Sequence, residues 1–180
     1  MNIRSITLII ALPLAAVLTM SAVADVSHGA HHSNAPTAKL VEVVRNVTQP
    51  FTDVNAVAGA GYKPLFGCVS GPDHGAMGVH YINLSLVGDG QIDAAHPEAI
   101  IYEPTKNGMQ LVGVEYIVDA ATWLSRNPAP PMLEGQAFQL VGSPNRYGLP
   151  AFYELHAWLW KHNPSGFFED WNPRVTCAFG

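Results

Sequence analysis

From Thr37 onward, apolar residues recur at three- and four-residue steps: Leu40, Val43, Val44, Val47, Phe51, Val54, Val57 and Ala58. At 3.6 residues per turn these positions fall on one stripe, so the spacing predicts an amphipathic helix. Pro50 has no amide hydrogen and is expected to kink or split it, with Thr48 available to cap a second segment. Gly59 and Gly61 supply the stop. The period then shortens. Five runs read as strands: GVHYINLSLV (78–87), EAIIYEP (98–104), MQLVGVEYIVD (109–119), QAFQLVGS (136–143) and AFYELHAWLW (151–160). Turn residues separate them, among them Gly88-Asp89-Gly90, the hairpin signal Thr105-Lys106-Asn107-Gly108, and Ser143 through Gly148. Asp119 is placed to cap a short helix, AATWLSR, that the proline-rich NPAPPM stops. Helix first, then about five strands on short loops, predicts an α+β fold in which a kinked N-terminal helix packs on a curved, mainly antiparallel sheet. A β-sandwich is the alternative.

The N-terminus changes the compartment of this picture. Residues 1–24 carry one charge at Arg4, an apolar run from Ile6 to about Met20 broken by Pro13, and the ending Ala22-Val23-Ala24. This is the pattern of a signal peptide cleaved after Ala24, and the run falls short of the roughly 20 residues a membrane helix needs. Residues 25–36, DVSHGAHHSNAP, lack apolar periodicity and read as a flexible tail holding His28, His31 and His32. That tail is either a solvated linker or a segment able to capture a metal. Residues 37–180 read as one globular domain. Losing Arg4 with the leader leaves eight Lys and Arg against fourteen Asp and Glu. Such an acidic chain, its basic residues scattered singly, excludes nucleic acid as the expected partner, and no membrane span is expected after cleavage. A small molecule or metal ion remains. Cys68 and Cys177 are the only cysteines, and in an oxidising compartment they are expected to pair. The loop they close is worth on the order of 4 kcal/mol in the chain-entropy model.

Strand alternation then nominates a site. In 78–87, His80 shares a face with Ile82 and Leu84; in 109–119, Glu115 shares one with Leu111, Gly113 and Ile117. In 151–160, Phe152, Glu154, His156, Trp158 and Trp160 fall together. A carboxylate placed among apolar side chains needs a cation, a donor or a proton. If the sheet brings these faces together, His80, Glu115 and His156 form a two-histidine, one-carboxylate ligand set for zinc, iron or copper. Glu154, and His74 on the glycine-rich loop, are the candidate proton carriers. Two other readings stand beside this one: a metal-free polar pocket, and a structural or interaction domain whose His and Glu groups only satisfy one another. Glu103, before Pro104, is expected to be exposed, and Met77 to be core packing rather than a sulfur ligand. Phe167, Phe168 and Trp171 either cover the core or line a ligand lip. No G-x-S-x-G elbow, H-E-x-x-H helix or phosphate loop occurs.

Three blocks, GYKPLFGCVSGPDHGAMGVHYIN, HPEAIIYEP with LVGVEYIV, and YELHAWLWKHNPSGFFEDWNPRVTC, resemble a group of uncharacterised exported bacterial proteins over about residues 50–177. The resemblance implies export and a single domain. It assigns no activity and no catalytic residue.

Overall fold

The helical stripe forms, divided at its proline. In the computed structural model, which describes residues 35–180, α1 spans Ala38–Thr48 and α2 spans Asn55–Gly59, with a 3-10 turn, Gln49–Thr52, between them. The expected leader and His28, His31 and His32 lie outside the described residues. Thr37 Oγ1 accepts from the Leu40 amide and caps α1. Pro50 enters the first turn of the 3-10 segment, where an amide would have no helical partner. Thr48 does not cap. Its buried hydroxyl donates to Val44 O at 2.7 Å and accepts from Trp160 Nε1 at 3.1 Å, because it lies where helix and sheet meet.

The sheet is a curled half-barrel of six strands. In chain order the strands are β1 (Lys63–Gly71), β2 (Gly75–Ile82), β3 (Ala99–Thr105), β4 (Gly108–Asp119), β5 (Met132–Leu133), β6 (Gln136–Ala137), β7 (Gln139–Val141) and β8 (Phe152–Ala157). The sheet order is β1-β2-β3-β4-β8-β7 with every pair antiparallel, while β5 and β6 form a separate two-stranded ribbon. Two short helices, α3 (Leu84–Val87) and α4 (Ala120–Leu124), follow β2 and β4. Asp119 caps α4 as expected, its carboxylate accepting from the Thr122 amide at 2.7 Å.

Three boundaries differ from the sequence reading. The 78–87 run leaves the sheet after Ile82, because Asn83 Oδ1 accepts from the Ser85 amide and starts α3. The 136–143 run divides between two sheets. β1 was hidden by a bulge: Phe66 and Gly67 both take φ +68°, which shifts the register between Leu65 and Cys68 and breaks the alternation.

The two sheet faces have different neighbours. One carries Ile100, Tyr102, Val114, Tyr116, Tyr153 and Leu155, and packs on Leu40 and Val44 of α1 and Val57 of α2. On the other, apolar side chains form two separate groups, Ala99–Ile117–Phe152 and Ile101–Val112–Trp158. The chain after β8 covers part of that face. Asn172 bridges to Ala76, and Cys177 is disulfide-bonded to Cys68 across 109 residues. Glu103, expected at the surface, is 3% exposed. This closing segment buries it, with Lys161 Nζ and the Thr176 amide both donating to its carboxylate. The described residues fall in one compact unit, and none of their helices is long and apolar enough to cross a membrane.

Candidate metal centre

Between the two apolar groups of the second face lies a polar cluster. On β8 the residues of that face run Phe152, Glu154, His156, Trp158, so two polar residues interrupt an aromatic series. In the β4–β8 register Glu115 stands opposite His156, and Ile117 opposite Glu154. His80 lies on β2, one strand beyond β3, where it pairs with Ile101. The curl of the sheet carries it across: His80 Nε2 is 3.3 Å from Glu115 Oε2 and 3.4 Å from His156 Nε2. Ala99, opposite Glu115 on β3, is small enough to leave that path open. The approach of β4 to β8 relies on Gly113, since a Cβ there would stand 2.7 Å from Ala157 O.

The cluster is dry. His80, Glu115, Glu154 and His156 are all buried, and His156 is fully enclosed. Burial, then the neighbouring His156, pushes the His80 imidazole down to about 3, against the pull of a hydrogen bond to the Gly78 backbone. Burial first, and the adjacent Glu154 carboxyl second, hold Glu115 well above the ordinary carboxylate range; burial also raises Glu154. The two carboxyls are close neighbours, each acting on the other's protonation. Among the described residues, no Lys or Arg forms an ion pair with either of them.

On its other edge, His156 Nδ1 stands 3.4 Å from Asp170 Oδ1 yet makes no hydrogen bond, leaving a fully buried ring nitrogen without a partner. Asp170 is itself held by Gln139 Nε2 at 3.0 Å. His80, Glu115 and His156 can each present one ligand atom within 4.8 Å of the others; so can Glu154, His156 and Asp170.

The cluster opens onto a cavity of about 160 Å³. His80, Glu115 and Glu154 line its inner end; Leu65, Val69, Met77, Ile117, Leu149 and Phe152 form the walls. Phe66 and Leu84, 48% and 69% exposed, flank the mouth. The bulge that hid β1 from the sequence sets Phe66 against Tyr147, ring centroids 5.4 Å apart.

The structure thus brings together His80, Glu115, Glu154 and His156. It does not bring His74, which is exposed on the β1–β2 turn. Six residues along an extended strand span about 20 Å, so a histidine expected on a mobile loop is held away from His80. Met77 is buried in the cavity wall, as packing predicts. Phe167 and Phe168 pack on the helix-side core, whereas Trp171 packs against Gly71. Sequence reasoning missed Asp170, which sits in an aperiodic segment with nothing local to mark it. No family model, curated protein or solved structure matches the chain.

Proposed function

We propose that this is an exported domain that binds a divalent transition metal through His80, Glu115 and His156 and uses its fourth position on a small molecule in the adjoining cavity. One observation carries the reading, the convergence of three buried donors. His80 Nε2 stands 3.3 Å from Glu115 Oε2 and 3.4 Å from His156 Nε2, and all three donors lie within 4.8 Å of one another. Two histidines with one glutamate are the donor set of catalytic zinc sites, which keep a fourth position open, so zinc is the first of zinc, iron and copper to test.

The chemistry of the neighbours fits. Glu115 and Glu154 are buried neighbours with no Lys or Arg partner among the described residues, and a cation is what such buried carboxyls lack. A bound zinc would polarise a water or carbonyl oxygen at the inner end of the cavity. Glu154, also at that end, is then placed to take or give the proton of a hydrolytic step. The cavity walls keep bulk water from the charges that develop.

The test is metal content. The mature protein, isolated without a histidine tag, should hold one zinc per chain, and His80→Ala and His156→Ala should each lose it while keeping the fold. Metal-free protein from a zinc-replete preparation, with both variants as stable as wild type, would leave only the structural polar network.

A further inference from the structure

The cavity is mainly apolar. His80, Glu115 and Glu154 occupy one end; elsewhere Asp119 and Tyr147 are set among Leu65, Val69, Met77, Ile117, Leu149 and Phe152. The Asp119 carboxylate caps α4 and the Tyr147 hydroxyl points to Met77 Sδ, so a sugar or peptide seated there would leave most of its hydroxyls or amides without a partner, at a cost of roughly 1–3 kcal/mol for each. The volume, about 160 Å³, is close to that of an apolar protein cavity that takes up benzene, about 150 Å³. At the mouth, exposed Phe66 and Leu84 continue the apolar path outward.

We propose that the cavity takes a small amphiphile, with one oxygen-bearing head at the His80–Glu115–His156 end and a single ring or short alkyl chain of about six to eight carbons along the walls. The proposal rests on the metal reading for the head and on the cavity alone for the tail. The inner end carries carboxyls and no Lys or Arg, so an uncharged head such as a carboxamide, ester or hydroxamic acid suits it better than an anion.

Straight-chain hydroxamic acids from two to ten carbons, titrated calorimetrically into the zinc-loaded protein, test this directly. Affinity should rise about threefold to fourfold per methylene, following the free energy of burying one CH₂, and level off once the chain reaches the mouth. Leu149 lies at the half-exposed edge of the wall, so Leu149→Asn should spare the fold. It should weaken the eight-carbon ligand about tenfold and leave the two-carbon ligand unchanged. Benzene, which has no head, reports the tail site without metal: it should shift the Met77 and Ile117 methyl resonances of the metal-free protein. Benzene shifts without zinc binding would overturn the metal reading and keep the apolar site. Zinc binding with an affinity flat in chain length, or benzene shifts elsewhere, would overturn the amphiphile. Hydroxamate binding that fades as protein concentration rises would assign the mouth to a second copy of the chain and likewise overturn it.

Discussion

His156 is the residue on which both edges of the cluster meet. Its Nε2 faces His80, while its Nδ1 is buried without a partner beside Asp170. A metal-binding histidine commonly donates its other ring N–H to a carboxylate, which fixes its tautomer and orientation. Metal on Nε2 would put the proton on Nδ1, and a small ring rotation would turn the 3.4 Å approach into that bond. Asp170→Asn should therefore lower zinc affinity about 10- to 100-fold, measured by competition with a chromophoric chelator, with little change in melting temperature for the metal-free protein. Equal affinities would make Asp170 a bystander. The four clustered residues were legible in the sequence because alternation along a strand fixes which side chains share a face. Asp170 was not, since a turn-rich segment has no period to read. Placing His74 failed for the opposite reason: the glycines around it look mobile, yet the chain from Gly75 onward is a strand that fixes its distance.

Among the elements, β4 and β8 set the spacing of the proposed ligands Glu115 and His156. Gly113 lets the strands approach, with Ala157 O 2.7 Å from the position of its absent Cβ. Gly113→Ala must push β8 outward and carry His156 away from Glu115, although neither ligand is changed. The expected result is a loss of about 1–3 kcal/mol in stability from overpacking, seen in denaturant unfolding, together with weaker zinc binding. Unchanged zinc affinity would show that strand spacing does not govern the site. The hairpin of β3 and β4, the helix cap at Asp119 and the division at Pro50 could all be read locally, because each rests on one residue's backbone chemistry. β1 could not. Phe66 holds a left-handed conformation that costs a non-glycine residue on the order of 1–3 kcal/mol, and only the surrounding sheet and the Tyr147 ring give it a reason to do so.

At the scale of the whole molecule, buried acids couple stability to pH. Burial pushes Glu98 up to about 8, against 4.5 for an ordinary glutamate, although its carboxylate accepts from the Ile117 amide at 3.0 Å. Between those two pH values the unfolded chain has lost a proton that the fold retains, so stability falls as pH rises. Glu115 and Glu154 add to the same slope in the metal-free protein. Glu98→Gln keeps an acceptor for Ile117 and removes one share of the slope. The variant and wild type should melt nearly together at pH 5, and the variant several degrees higher at pH 8, on a scale of about 2–4 °C per kcal/mol for a chain of this size. A gap that stays constant from pH 5 to 8 would rule out the Glu98 carboxyl as its source.

The Cys68–Cys177 bridge joins the strand that carries the cavity's outer wall to the segment that carries Asp170. It is therefore a mechanical link as well as a clasp: cutting it would release the cavity wall and the Asp170 edge of the cluster from one another, although neither cysteine touches the cluster.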